Sequence, residues 1–164
     1  MPVVSGAEFL KAARKGGYAV GGYNTNNLEW TQAILEAAEA KKAPVLIQTS
    51  MGAAKYMGGY KVAKDMITNL VDSMNITVPV AIHLDHGDYE AALECIEVGY
   101  TSIMFDGSHL PFEENLKLAK DVVEKAHAKG ISVECEVGSI GGEEDGIIGT
   151  GELADIEECK QMVA

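Results

Sequence analysis

Short apolar runs alternate with segments of helical periodicity along the whole chain, and this alternation constrains the fold more than any other feature. Runs at Ala19–Tyr23, Val45–Thr49, Val80–Leu84, Ser102–Phe105 and Ser132–Val137 read as strands. Helical spacing occupies Ser5–Lys15, Leu28–Lys41, Val62–Met74, Tyr89–Val98 and Pro111–Lys129, and a further helix begins near Asp155. In the segment from Pro111, residues Asn115, Leu116, Leu118, Ala119, Val122, Val123 and Ala126 recur on one helical face, with Gly130 suited to a C-terminal cap. Ser5 with Glu8 reads as a capping box, and Asn26 and Asn27 as caps for the helix from Leu28. Strand-to-strand steps of roughly 30 residues fit crossover connections, so the expected architecture is α/β with a parallel sheet.

A chain of 164 residues with 47% hydrophobic content is sized for one core, and residues 1–164 are expected to form a single domain. Its 25 acidic residues against 13 basic give a formal charge of −12, which argues against nucleic acid or a membrane surface as partner and favours small-molecule chemistry. The three cysteines, Cys95, Cys135 and Cys159, are odd in number and widely spaced, as expected in a reducing cytoplasm. No secretory leader pattern and no long apolar span is evident in the sequence.

Three strand ends carry the groups that chemistry would need. They are Ala81-Ile82-His83-Leu84-Asp85-His86-Gly87, Ser102-Ile103-Met104-Phe105-Asp106-Gly107-Ser108-His109 and Ser132-Val133-Glu134-Cys135-Glu136-Val137-Gly138. In a parallel α/β protein these ends share one face, where ligands bind. Strand alternation puts Glu134 and Glu136 on one side, and inward carboxylates need a cation, a proton or hydrogen-bond donors. The alternative is that one of them holds a helix N-terminus or a lysine. Strict alternation would separate Asp85 from His86, but if the ladder ends at Leu84 both side chains can turn into one pocket. His86 is then a metal ligand, with Asp85 an acid, a base or a partner to the ligand. His83 reads as structural, His109 as facing either substrate or solvent, and His127 as solvated. Asn24 and Ser50 end the first two strands and suit hydrogen bonding to a ligand or helix capping equally well. The glycine-rich stretch 138–151 lacks periodicity and is expected to be a mobile functional loop. From the residues alone, a metal-dependent barrel hydrolase remains an alternative.

Five segments together carry a specific resemblance: Gly-Tyr-Asn at 22–24, Ile-Gln-Thr-Ser at 47–50, His-Leu-Asp-His-Gly at 83–87, Phe-Asp-Gly-Ser-His at 105–109 and Glu-Cys-Glu-Val-Gly-Ser-Ile-Gly-Gly-Glu-Glu-Asp-Gly at 134–146. With them the chain resembles the N-terminal portion of class II, metal-dependent fructose-1,6-bisphosphate aldolases. The resemblance implies a (β/α)8 TIM barrel, of which this chain supplies about the first five βα units. It implies Zn2+ as catalytic cofactor bound by His86, a second divalent or a monovalent cation position involving Asp106 and Glu136, and substrate contacts from Asn24 and Ser50. Asp85 would handle the proton of the C4 hydroxyl, and Glu144 the proton at the reacting carbon of dihydroxyacetone phosphate. The implied reaction is glycolytic cleavage of a sugar bisphosphate, fructose 1,6-bisphosphate before tagatose 1,6-bisphosphate, by a cytoplasmic homo-oligomer, a dimer or tetramer. Such barrels need about 250 residues, and the resemblance places two further histidine ligands on later strands. The expectations are therefore that residues 1–164 alone are inactive and not a stable monomer, with a non-catalytic half-barrel module as the reading from another class.

Overall fold

The computed structural model describes residues 2–144 and 147–164, with side-chain positions described outside 140–141, 143–144, 147–150 and 152. Five strands, β1 (Gly21–Asn24), β2 (Val45–Ser50), β3 (Val80–Gly87), β4 (Ser102–Phe105) and β5 (Ser132–Cys135), pair in chain order into one parallel sheet. Helices α1 (Gly6–Gly16), α2 (Leu28–Lys41), α3 (Met51–Met57), α4 (Tyr60–Ser73), α5 (Tyr89–Val98) and α6 (Phe112–His127) precede or link these strands, and α7 (Ile156–Val163) follows them. Among the described residues no helix is long and apolar enough to cross a membrane.

Alternation along the strands divides the sheet into two unlike faces. Val45, Ile47, Val80, Ile82, Leu84, Ile103 and Phe105 enter one apolar cluster with Leu35, Ile67, Val71, Cys95, Ile96, Ala119, Val122 and Ala126 of the helices. The intervening residues, Gln48 and Ser50 on β2, His83 and Asp85 on β3, Ser102 and Met104 on β4, point to the opposite face. Helices α2, α4, α5 and α6 cover the apolar face, while Gly6 of α1 packs against Ser102 and Ser132 on the other, the arrangement of a barrel wall whose inner side carries the polar groups. β1 and β5 each pair on one side only among the described residues. Tyr23 and Trp30 lie 55% exposed near that first edge.

Local sequence accounts for most boundaries. Asn27 accepts from Trp30 N at 2.8 Å and so starts α2, as its position in the sequence suggests. Asp88 does the same for α5, accepting from Ala91 N at 2.8 Å. Near the far end of α2, Glu39 receives the amides of Thr77 and Val78 and the Thr77 hydroxyl, pinning the turn before β3. Lys42 above all, and then these donors, hold the Glu39 carboxyl down to about 2.

Three expectations are corrected, and one unassigned segment proves helical. Ser5 caps α1 through no side-chain hydrogen bond, and the Glu8 amide bonds its backbone carbonyl at 3.2 Å instead. Residues 51–60, to which the sequence reading assigns no element, are helical: Ser50 accepts from Ala53 N at 3.2 Å, starting α3 before Gly58 and Gly59 break it and α4 begins. Stretch 138–151 is no structureless loop, because β6 (Ser139–Glu144) and β7 (Ile147–Glu152) pair antiparallel, Glu144 opposite Ile147. Backbone pairing needs no side-chain alternation, so a glycine-rich ladder leaves no periodic trace in sequence. β3 does not stop at Leu84 but continues to Gly87.

Candidate active site

The extra length of β3 comes with a bulge. Leu84 pairs with Ile103 and Gly87 with Phe105, so three steps on β3 face two on β4. His86 takes up the excess with φ of 47°, a left-handed conformation uncommon for a side-chain-bearing residue. Both ends of the bulge lie on the helix side: a Cβ added to Gly87 would stand 2.2 Å from Leu84 Cδ2. Asp85 and His86, between them, are released together from that apolar face.

The two side chains reach opposite flanks of the strand ends. Asp85 accepts from Asn24 Nδ2 at 2.6 Å and from Gln48 Nε2 at 3.0 Å, so β1 and β2 clamp both carboxylate oxygens. His86 Nδ1 donates to Asp106 Oδ2 at 2.8 Å and lies 3.8 Å from Glu136 Oε2, beyond the ends of β4 and β5. Asp106 also accepts from Ser108 N at 3.0 Å. Burial works against ionising Asp106, but the His86 contact and the Ser108 donors outweigh it and hold the carboxyl below its ordinary range.

One ligand atom from each of His86, Asp106 and Glu136 lies within 4.8 Å of the others. Ligands at about 2.0–2.2 Å from a zinc ion stand roughly 4.4 Å apart at most. The three groups are therefore near enough to surround one divalent ion once His86 gives up its 2.8 Å hydrogen bond to Asp106, and an imidazole with two carboxylates suits such an ion chemically.

Beneath this cluster lies a second polar group. His83, 2% exposed, contacts Ser102 Oγ through Nδ1 at 2.8 Å, and Ser132 Oγ donates to Ser102 Oγ at 3.0 Å. Burial pushes the His83 imidazole down to about 4, against the opposing pull of Asp85. It is therefore neutral near pH 7, and its 3.7 Å approach to Glu134 Oε2 is a polar contact rather than an ion pair. Burial first, then the Asp85 charge, raises the Glu134 carboxyl, although its side chain is 62% exposed.

Of the residues singled out in sequence, the structure gathers Asn24, Asp85, His86, Asp106 and Glu136 at one end of the sheet. Ser50 stands opposite Asp85 in the ladder, but its hydroxyl caps α3. Glu144 closes β6, and its side chain lies outside the described residues. His109 and His127 are exposed. Sequence reasoning passed over Gln48, whose signal was an amide on the inner-facing parity of an otherwise apolar strand, and Asn115, which donates from Nδ2 to Glu136 O at 2.9 Å.

Comparisons with known proteins point to one family. The family model for "Fructose-bisphosphate aldolase class-II" matches residues 4–164. A fructose-bisphosphate aldolase of Streptococcus pneumoniae serotype 4 is 83% identical over 163 residues, covering 99% of this chain and 56% of that protein. One from Geobacillus stearothermophilus is 54% identical over 165 residues, covering 99% and 58%. Among solved structures, a putative fructose-1,6-biphosphate aldolase from Coccidioides immitis superposes with a TM-score of 0.86 at 32% identity, covering 99% of this chain and 58% of its own. The YdjI aldolase from Escherichia coli K12 gives 0.84 at 28% identity, covering 98% and 57%. The chain thus spans just over half the length of the relatives it matches, and its five strands correspond to the first five βα units of their barrels. On the family match, the identities and the shared fold, this chain belongs to the class-II fructose-bisphosphate aldolases.

Proposed function

We propose that the protein carrying this chain is a zinc-dependent aldolase that reversibly cleaves fructose 1,6-bisphosphate to dihydroxyacetone phosphate and glyceraldehyde 3-phosphate. The observation that carries the reading is the convergence of His86, Asp106 and Glu136 beside a carboxylate, Asp85, clamped by two amides. Bound zinc would polarise the substrate carbonyl and spread the negative charge left when the C3–C4 bond breaks. His86 would hold that ion, with Asp106 and Glu136 able to ligate it in an alternative position or to bind a second cation. Asp85 takes the proton of the C4 hydroxyl in the cleavage direction, with Asn24 and Gln48 fixing the direction of its lone pairs. Glu144, on the β6–β7 hairpin, returns a proton to the carbon of dihydroxyacetone phosphate, and closure of that hairpin excludes water. Asn24 and Ser50 contact substrate as it binds. Residues 1–164 form one part of a single barrel domain in a cytoplasmic homo-oligomer serving glycolysis, and on their own have no aldol activity.

Chelation of the full-length protein is expected to abolish cleavage, with zinc restoring it. Asp85→Ala is expected to lower kcat by about 10²–10⁴-fold, the contribution of a positioned acid or base, with the circular-dichroism spectrum unchanged. Turnover indifferent to the chelator, or a substrate adduct on lysine trapped by borohydride, would sink the proposal.

A further inference from the structure

Asn115 stands out as a polar residue on the apolar stripe of α6. It is 2% exposed and shares that stripe with Leu116, Ala119, Val122 and Ala126. Its Nδ2 donates to the backbone carbonyl of Glu136 at 2.9 Å. On the other side it abuts the turn after β4, where a Cβ added to Gly107 would lie 2.4 Å from Asn115 Oδ1. That Oδ1 is buried and has no hydrogen-bond partner among the described residues.

An unsatisfied buried carbonyl destabilises a fold, and a leucine of similar volume would fill the same stripe without it. The placement therefore follows from what the amide does with its other end. β4 and β5 stop pairing at Phe105 and Cys135, one residue short of Asp106 and Glu136. From there Asn115 joins the Glu136 backbone to the turn that follows Asp106.

We propose that Asn115 is a positioning residue for the metal cluster, setting the separation of Asp106 from Glu136 by bonding the Glu136 carbonyl while packing against Gly107. The inference rests on the metal reading above. Groups that orient ligands from behind typically change metal affinity by ~10–100-fold when removed, whereas a residue that only fills space does not.

The test compares full-length wild type with Asn115→Leu and Asn115→Asp. The zinc dissociation constant is measured by competition with a chromophoric chelator, and stability by urea unfolding of the metal-stripped protein. Asn115→Leu is expected to leave the stripped protein at least as stable, because the orphaned oxygen is gone, and to weaken zinc binding ~10–100-fold. Unchanged zinc affinity in that variant overturns the proposal, whatever its stability. Should the leucine variant fail to fold, Asn115→Asp, which keeps the volume and loses the donor, decides by the same affinity criterion. His86→Ala separates this idea from its premise. If His86→Ala binds zinc as tightly as wild type, the metal reading itself falls and the positioning role with it; if only His86→Ala binds less tightly, Asn115 alone is dismissed.

Discussion

The neutral His83 imidazole makes stability depend on pH in a defined direction. In the unfolded chain it titrates near 6.5, and in the fold burial pushes it down to about 4. Between those values the unfolded state binds the extra proton, so the fold loses stability as pH falls through the window and has it in full above the upper end. The whole gap corresponds to about 3 kcal/mol at 1.36 kcal/mol per pH unit, most of it lost by about pH 4.5. Wild type and His83→Gln should be unfolded in urea at neutral pH and again near pH 4.5. Glutamine can still bond the Ser102 hydroxyl but does not titrate, and the difference between the proteins cancels the carboxylates common to both. Wild type is expected to lose about 2–3 kcal/mol more than the variant over that range. Proton NMR of the His83 ring should show no titration step near 6.5 in the folded protein. Equal pH slopes for both proteins, or a ring titrating near its ordinary value, would refute the account of His83 as a neutral buried group.

Two further outcomes follow from the geometry. Gly87→Ala forces its new methyl into Leu84 and should lower stability by about 1–3 kcal/mol, the usual effect of overpacking, with urea unfolding as the measure and cleavage activity falling in parallel. Glu39→Gln should narrow acid stability. The Glu39 carboxyl is held to about 2, so its contribution is present above its ordinary value of 4.5 and fades as pH falls through the lower one. An acid-unfolding midpoint unmoved by the substitution would show that the Thr77 and Val78 amides do not depend on that charge.

The sequence made the parallel sheet legible because five short apolar runs and the helices between them keep different periods, and the observed strands begin within a few residues of those runs. Asn27 was readable as a cap for the same reason: its function is local. The antiparallel pairing of β6 with β7 was not, since its glycines remove the side-chain signal. At the site, carboxylates and imidazoles at strand ends could be found by type. That they share one face follows from the parallel sheet, but how Asp85 and His86 both leave the apolar side could not be read, because it depends on a bulge defined by pairing with β4, a relation between segments. Gln48 and Asn115 stayed hidden because their roles lie in bonds to residues 37 and 21 positions away.

That added residue in β3 ties reactivity to a count. Downstream of Leu84 the strand runs out of phase with its neighbour by one position, so the site depends on the spacing of this segment as well as on its side chains. Deleting a single residue from this segment would restore ordinary pleating and swing either the acid or the imidazole into the greasy layer under the helices, even with every remaining group chemically intact.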